Sequence, residues 1–478
     1  MVSHNKIKSA ISWSVVEAIS SIGLSLISIV FLARVLLPED YGLVATAQFI
    51  SGSLQLVLSF GLIEAVIQKK DLNNEYIASA LFGSLILAGV GGIIAIGISY
   101  GFYLYNPSSD IAIIMLFEAI STVLMLAAVV PSALLMRNME MKAFTKRTLI
   151  SRVFFFVVAI PLAYTGYGVW SIVFANLVQI SIATFLIFWG ARPLMSRRFY
   201  FDFSQFIELG KFGFYVMFEN LLWNVMSRVF GVLIALFHGT SAVGLYNMAT
   251  KITDAILNIL NTIVTRSALP IFSLVQSDHS KLFHAFQKAT FLFNLISMPM
   301  FFMLAMTCPT WVPIVLGDNW SPVVPIIQII AVMYGIMYSR MFVGVAIKAV
   351  GRSKDYLIVA FIAALITLAA SFATIDQTLI ITLFALAIPR ILITIPLGVY
   401  LMKKILGFDL THQFLPLKFP IITSVLVLTV SFIAKILTEI YTDSSIVILS
   451  TQLFGAGLVF LLMCFILAKK GKFSSSWI

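Results

Sequence analysis

Charged and metal-binding side chains are scarce in this sequence. Of 478 residues, 31 are Lys or Arg and 20 are Asp or Glu, so charged residues make up 11% of the chain and hydrophobic residues 60%. A soluble globular protein has about a quarter charged residues, so this composition excludes an ordinary water-soluble enzyme. The chain has two cysteines and five histidines, all scattered. We therefore expect neither a disulfide framework nor a metal site.

Catalytic motifs are also missing. The sequence contains no Walker-type phosphate loop and no H-E-x-x-H zinc motif. The loops expected outside the membrane are all short, which leaves no space for a catalytic domain. The sequence therefore predicts a protein that is not an enzyme, with no catalytic residues and no cofactor apart from a coupling H+ or Na+ ion.

Long apolar runs dominate what is present. A helix that crosses a bilayer needs about 20 mostly apolar residues. Runs of this kind predict an all-α polytopic membrane protein with about fourteen transmembrane helices. The predicted spans are 11–33, 43–63, 77–104, 111–134, 148–165, 169–190, 212–236, 244–272, 286–307, 321–345, 355–375, 378–402, 419–441 and 445–468.

The net charge of +11 follows this topology. Lys and Arg cluster at the N-terminus, in alternate loops and in the C-terminal tail, whereas the intervening loops hold acidic residues or no charge, apart from Arg34. By the positive-inside rule, both termini are cytoplasmic. On this interpretation the Lys and Arg side chains bind the anionic headgroups of membrane lipids and do not form a nucleic-acid surface. The first apolar run lacks a signal-peptide cleavage site, which indicates a retained helix.

An internal repeat divides the chain. The stretches D-Y-G-L-V-A-T-A and A-V-G-L-Y-N-M-A place Gly42 and Gly244 202 positions apart, and the same offset carries spans 1 to 6 onto spans 7 to 12. This predicts two six-helix lobes related by a pseudo-two-fold axis along the membrane normal, plus a C-terminal helix pair. The predicted domains are a first lobe at 1–190, a cytoplasmic linker at 191–211, a second lobe at 212–404, and helices 13 and 14 with a basic tail at 405–478.

Polar stripes occur on spans 1, 2, 7 and 8, which are equivalent pairs under the repeat. Their polar residues recur at three- and four-residue spacing, which places them on one helix face. In lipid such a face must contact protein or water, so the stripes favour a shared polar cavity, although they can also simply join helices. The substrate-binding candidates are Arg228, Lys251, Asn220, Asn224, Asn247, Asn258, Gln48 and Gln55.

Two cations stand out within the stripes. Arg228 and Lys251 would present positive charge to an anionic group such as a phosphate if they face the cavity. Lys251 and Asp254 are spaced i, i+3, so a structural ion pair is an equally good interpretation of these two residues.

Intramembrane carboxylates are candidates for ion coupling. A desolvated carboxylate can bind a proton or a cation. Glu17 and Glu219, which are related by the repeat, could act in this way together with Asp254. The alternative is that the two glutamates are partners of an Arg or Lys. Arg390 and Glu118 have no evident repeat-related partner and are interpreted as ion-pair members.

Several motifs also occur in a characteristic order. They are A-R-V-L-L-P-E-D-Y-G at 33–42, G-L-I-E-A-V-I-Q at 61–68, a basic stretch at 137–142, G-Y-G-V-W-S at 166–171, G-D-N-W at 317–320 and G-R-S-K at 351–354. Together these motifs resemble the polysaccharide transport family, bacterial flippases of undecaprenyl-pyrophosphate-linked oligosaccharides. This family lies within the multidrug/oligosaccharidyl-lipid/polysaccharide exporter superfamily, and the resemblance is strongest to O-antigen and colanic-acid exporters.

The resemblance implies an alternating-access flippase in the bacterial inner membrane. It would move an undecaprenyl-pyrophosphate-linked oligosaccharide from the cytoplasmic to the periplasmic leaflet for colanic acid, O-antigen or capsule biosynthesis, driven by an H+ or Na+ gradient. Arg228 and Lys251 would then hold the pyrophosphate. Polysaccharide polymerase and assembly proteins are further expected partners. Related lipid flippases are basic on the first helix, whereas this chain has Glu17.

Three other classes of protein remain as alternatives. A multidrug or cation antiporter of the same superfamily would favour a cavity of aromatic residues and carboxylates, without cations such as Arg228 and Lys251. A membrane polysaccharide polymerase would need a long outer loop with paired charged residues. A scaffold protein would not need polar stripes on four repeat-related helices.

Overall fold

The computed structural model describes residues 4–59, 61–69, 71–107, 109–195, 200–274 and 278–469, without the side chains of 4–11, 210–227, 261–271 and some single helix positions. No strand occurs among these residues. The helices are α1 His4–Ala33, α2 Pro38–Leu58, α3 Leu62–Gln68, α4 Asn74–Tyr105, α5 Ile111–Ala127, α6 Val129–Arg137, α7 Met141–Tyr164, α8 Val169–Ala191, α9 Phe203–Leu274, α10 His279–Leu316, α11 Val324–Tyr338, α12 Met341–Ala349, α13 Ser353–Ala373, α14 Leu379–Leu406, α15 Leu410–Phe414, α16 Lys418–Tyr441 and α17 Ser445–Lys469, with 3-10 turns at Asp318–Val323 and Leu415–Leu417.

The predicted all-α polytopic membrane fold is confirmed. Within the described part of the chain, twelve helical stretches are long and apolar enough to cross a membrane. The predicted count of fourteen is approximate, because the described part of α1 gives only a short apolar stretch and α9 gives a single candidate, Arg228–Asn258. Gly239 has φ 83° and ψ 173° within α9. This conformation is essentially restricted to glycine, so α9 has two helical parts, 203–238 and 240–274.

The chain divides into two compact units, Met1–Asn247 and Met248–Ile478. The boundary between them falls within the predicted span 244–272, whereas the predicted lobes are separated by the linker 191–211. The lobe boundaries therefore stay a prediction. Each unit is described below by itself.

Helix α4 shows how the first unit packs. Its buried face carries small residues, among them Ala88, Gly91 and Ala95, whereas Ile86 and Ile93 are 54% and 72% exposed on its other sides. Small residues let neighbouring helices approach closely, which is how helices associate in lipid. The exposed isoleucines are expected in a membrane, because lipid is as apolar as they are.

Phenylalanine rings form the main core of the second unit. The buried cluster joins the second part of α9 with α10, α12, α13 and α14, and the ring of Phe342 packs against those of Phe272 and Phe293 with centroids 5.9 and 5.5 Å away. Aromatic pairs at such distances contribute beyond the area that they bury. The cluster therefore packs these helices of the second unit against one another.

The two repeat motifs contact each other within the first unit. A Cβ atom on Gly42 would lie 1.7 Å from the carbonyl oxygen of Thr240, and one on Gly244 would lie 1.8 Å from the carbonyl oxygen of Pro38. Pro38 and Thr240 are themselves 202 positions apart. The contact is therefore reciprocal, as around a two-fold axis. Only glycine at both positions allows the two backbones to approach this closely.

A polar cluster outside the membrane spans attaches the start of α9 to the start of α4. The Glu208 carboxylate accepts hydrogen bonds from Lys69 Nζ at 2.8 Å and from the Tyr76 hydroxyl at 2.6 Å. These hydrogen bonds lower the pKa of Glu208. Burial lowers the pKa of Lys69, but its bonds to Glu208 and Tyr76 raise it by more. Because the Glu208 side chain is 59% exposed, the pair contributes at most about 1 kcal/mol to stability.

Candidate functional site

Helix α2 packs antiparallel to the first part of α9, and two glycines make the packing close. The Phe49 ring fills the space beside Gly231, where a Cβ atom would lie 2.2 Å from the ring. Three residues further along α2, the Arg228 guanidinium fills the space beside Gly52, where a Cβ atom would lie 1.7 Å from Arg228 Nη1. Because Gly52 has no side chain, the polar face of α2 has room for a cation at this position. We call this space beside Gly52 the seat of Arg228.

Arg228 and Gln48, both predicted site residues, lie together in this seat. Arg228 Nη1 donates a hydrogen bond to the backbone carbonyl of Gln48 at 3.2 Å, and the side chain is half-buried. A guanidinium has five N–H donors, of which this contact uses one. The contact fixes the position of the guanidinium, whose planar fork is suited to binding phosphate oxygens.

Glu118 on α5 also belongs to this site, although the sequence suggested it only as an ion-pair member. Glu118 is 8% exposed, and its carboxyl group accepts a hydrogen bond from Ser51 Oγ at 3.0 Å. The side chain of Gln48 is a second hydrogen-bond partner. The Gln48 residue thus connects Glu118 with Arg228, through its side chain on one side and its carbonyl on the other. The signal in the sequence is a lone glutamate in an otherwise apolar span.

Gln55 lies on the same face of α2 but has a different role. Its amide donates a hydrogen bond to Thr122 Oγ1 on α5 at 3.1 Å. Thr122 and Glu118 are one turn apart on α5, so this face of α2 meets α5 along two consecutive turns. For Gln55, joining two helices explains its polarity, which was the alternative that the sequence left open.

Glu17 on α1 lies among cations of α7. Its carboxylate accepts a hydrogen bond from Thr148 Oγ1 at 2.9 Å and interacts electrostatically with Arg147 and Arg152. Arg152 also donates to the carbonyl of Ser21, one turn along α1, at 2.7 Å. These contacts support the alternative interpretation, in which Glu17 is the partner of basic residues. The negative charge of Glu17 on α1 is thus balanced by the positive charges of Arg147 and Arg152 on α7.

In the second unit, Asp254 belongs to a network of two tyrosines and an arginine. Its carboxylate accepts a hydrogen bond from the Tyr334 hydroxyl at 2.9 Å and interacts electrostatically with Arg390. The Tyr338 ring packs edge to face on Tyr334, with centroids 5.2 Å apart, and Tyr338 also interacts with Arg390. Arg390 therefore has the acidic neighbour expected of an ion-pair member. Lys251, one turn before Asp254, has an exposed side chain.

The remaining predicted residues are placed as follows. Asn247 is buried and Asn258 is exposed. The side chains of Glu219, Asn220 and Asn224 lie outside the described residues. No group of three or more His, Cys, Asp or Glu residues that could hold a metal ion occurs in the described part of the chain.

Comparison with known proteins identifies the family. Residues 31–325 match the model of a family described as polysaccharide biosynthesis protein. The chain belongs to this family. Curated proteins are also similar to this chain over most of its length. The succinoglycan biosynthesis transport protein ExoT of Rhizobium meliloti (strain 1021) is 24% identical over 379 residues, which cover 77% of this chain and 75% of ExoT.

Further relatives agree with the family assignment. The lipopolysaccharide biosynthesis protein WzxC of Escherichia coli (strain K12) is 23% identical over 69% of this chain and 67% of its own length. Among solved structures, the lipid II flippase MurJ in an inward closed conformation matches with a TM-score of 0.77 over 96% of this chain and 99% of MurJ, at 14% identity. An inward-facing multidrug resistance transporter of the MATE family matches less well, with a TM-score of 0.55 over 80% and 93%. These likenesses show a common fold.

Proposed function

We propose that this chain is a flippase of undecaprenyl-pyrophosphate-linked oligosaccharides. It would move a repeat unit from the cytoplasmic to the periplasmic leaflet by alternating access, for the synthesis of a surface polysaccharide. Its family membership and the names of ExoT and WzxC support the proposal. A bacterial inner-membrane location with both termini cytoplasmic is part of it, as is cooperation with a polymerase and assembly proteins.

The seat of Arg228 is the observation that carries the choice of substrate. Placing an arginine within a membrane span costs free energy, so such a residue is expected to pair with another group or to line a substrate pathway. Here Gly52 makes room for the guanidinium, and the Gln48 carbonyl orients it. A fixed guanidinium on a polar face attracts a phosphate or pyrophosphate and repels a cationic drug. This favours a lipid-linked pyrophosphate over the cation of a multidrug antiporter.

Ion coupling is a separate part of the proposal. Glu17, Glu219 and Asp254 are the candidate carboxylates for H+ or Na+. The contacts of Asp254 support it most, because a half-buried carboxyl that meets both a hydroxyl and Arg390 can exchange one partner for an ion. The contacts of Glu17 with Arg147 and Arg152 support a structural role instead. Comparing transport under an H+ gradient with transport under a Na+ gradient would test the choice of ion.

Replacing Arg228 tests the proposed substrate. Loss of a charge-assisted hydrogen bond costs about 1.5–3 kcal/mol, so we expect Arg228→Ala to reduce transport of lipid-linked oligosaccharide into the outer leaflet of proteoliposomes by roughly 10- to 150-fold. Arg228→Lys keeps the charge but loses the planar fork, and should transport at an intermediate rate. The exposed Arg192 gives a matched control, since Arg192→Ala removes one positive charge outside the site.

The levels of protein in the membrane must be equal in all variants, which quantitative immunoblotting would show. Transport by Arg228→Ala at the rate of Arg192→Ala would refute the assignment of Arg228. Transport of a cationic drug by the wild type, with none of the lipid-linked oligosaccharide, would favour the antiporter.

A further inference from the structure

A short segment between α14 and α16 lies across the beginning of α10 in the second unit. It consists of α15 and the following 3-10 turn. The ring of Phe283 on α10 packs edge to face on Phe408 and on His412, with centroids 5.0 and 4.9 Å away. The Gln287 amide nitrogen lies 3.5 Å from the carbonyl oxygen of His412. These contacts hold the segment on α10, one turn before a pocket opens.

The pocket lies where this segment, α10 and α16 meet. Its floor is formed by the rings of Phe291 and Phe419, which belong to a small buried cluster with Leu295 and Leu467. It encloses about 150 Å³. The lining residues are Gln287, Lys288, Phe291, Leu415, Pro416, Lys418 and Phe419.

Two ammonium groups and no carboxylate belong to this described lining. Lys288 extends from α10 and Lys418 from the first turn of α16. Asp409, the residue just before this segment, forms an ion pair with Lys403 at 3.1 Å. The pocket is therefore apolar inside with positive charge beside it, which is complementary to a molecule that joins an anionic group to an apolar one.

The segment that borders the pocket is itself amphipathic. Leu410 and Leu415 are each 62% exposed and Phe414 is 38% exposed, while Gln413 between them is buried. Apolar side chains exposed next to lysines are typical of the level where acyl chains meet headgroups. The opening of the pocket thus lies at the membrane interface, where a lipid headgroup can reach it without leaving the bilayer.

The volume limits what can bind. Pockets that enclose a whole small ligand measure about 300–1,000 Å³, so this pocket admits only part of a molecule. A phosphate with its glycerol fits the combination of two lysines and an apolar floor, with the acyl chains remaining in the bilayer. Basic pockets of this kind between transmembrane helices bind anionic headgroups.

We propose that the pocket between α10, the 3-10 turn Leu415–Leu417 and α16 is a binding site for an anionic phospholipid such as phosphatidylglycerol, with the phosphate between Lys288 and Lys418. This site is distinct from the seat of Arg228 and does not depend on the proposed transport activity. A lipid bound here joins the C-terminal helix pair to α10 and so stabilises the second unit.

Lipid titrations of the full-length protein in detergent, followed by native mass spectrometry, would test the site. Each lysine near a membrane surface raises the affinity for an anionic lipid about fivefold. We expect Lys288→Gln with Lys418→Gln to weaken phosphatidylglycerol binding roughly 30-fold and to leave phosphatidylcholine binding unchanged. The matched control is Lys354→Gln with Lys404→Gln, which removes two exposed lysines outside the pocket. Lys288→Arg with Lys418→Arg should retain binding.

Three results would overturn the proposal. The control pair could lose as much affinity as the pocket pair, which would mean a general effect of surface charge. Phosphatidylglycerol and phosphatidylcholine could bind the wild type equally well. Undecaprenyl phosphate could displace phosphatidylglycerol at much lower concentration, which would assign the pocket to the transported lipid. If the pocket variant fails to fold, the wild type can be crosslinked with a photoactivatable phosphatidylglycerol instead. The proposal requires the adducts to map to 287–291 and 415–419, and adducts elsewhere would overturn it.

Discussion

The contact between Gly42 and Gly244 leads to a sharp prediction. In the substitution Gly42→Ala the added methyl group would lie 1.7 Å from the carbonyl oxygen of Thr240. An ordinary contact between a carbon and a carbonyl oxygen is about 3.3 Å. The two backbones must therefore separate by about 1.6 Å, because the obstacle is a helix backbone and not the end of a flexible side chain.

The energetic consequence follows from the cost of overpacking. Inserting a methyl group into a closely packed contact costs about 1–3 kcal/mol. A penalty of this size lowers the population of the conformation that has the contact by roughly 5- to 150-fold. Gly244→Ala should have the same effect, because its Cβ atom would lie 1.8 Å from the carbonyl oxygen of Pro38. The double variant should cost less than the sum, since either methyl group alone already separates the backbones.

Hydrogen–deuterium exchange on the purified protein measures this effect directly. Backbone amides in 38–46 and 240–247 should exchange faster in Gly42→Ala than in the wild type. Gly89→Ala is the matched control, because no atom lies within 4 Å of its Cβ position and Ala favours the helix. Exchange in Gly42→Ala that matches Gly89→Ala, or costs that add fully in the double variant, would refute the reciprocal contact.

Two further predictions concern polar contacts of the first unit. Gly52→Ala should displace the flexible end of Arg228 from its seat and reduce transport as much as Arg228→Ala, while the melting temperature changes little; transport at the wild-type rate would show that the seat does not matter. The pair of Lys69 and Glu208 should stabilise the protein by at most about 1 kcal/mol. Because the pKa of Glu208 is lowered in the folded protein, this contribution is present above pH ~4.5 and disappears as the pH falls through the lowered pKa. Melting curves of the wild type and Glu208→Gln, taken from neutral pH down to below the lowered pKa of Glu208, should therefore converge at the acidic end, and a constant difference would contradict the assignment.

The fold could largely be predicted from the sequence, because lipid imposes simple rules. Long apolar runs must be helices in a bilayer, and the sequence shows these runs directly. The offset of 202 residues predicted the equivalence of Gly42 and Gly244, and the reciprocal contact agrees with it. Helix ends and breaks were less predictable, since the single residue Gly239 replaces the loop that separates two predicted spans.

The site was predicted only in part. Periodicity identified the polar face of α2 and the cation Arg228, but it could not show that the space for the guanidinium comes from Gly52. Glu118 was missed as a site residue for a related reason. Its hydrogen-bond partner Ser51 is 67 positions away on another helix, and a lone glutamate in an apolar span has no periodic pattern that indicates such a partner.

The contact of Gly42 with the segment around Gly244 also bears on the origin of the protein. A segment that packs reciprocally against its own repeat makes the same contact that two identical chains would make in a symmetric dimer. If the gene for such a dimer were duplicated and fused, the resulting single chain would keep this contact between its two halves. In the fused chain the two glycines constrain each other, because a side chain on either one would separate both backbones.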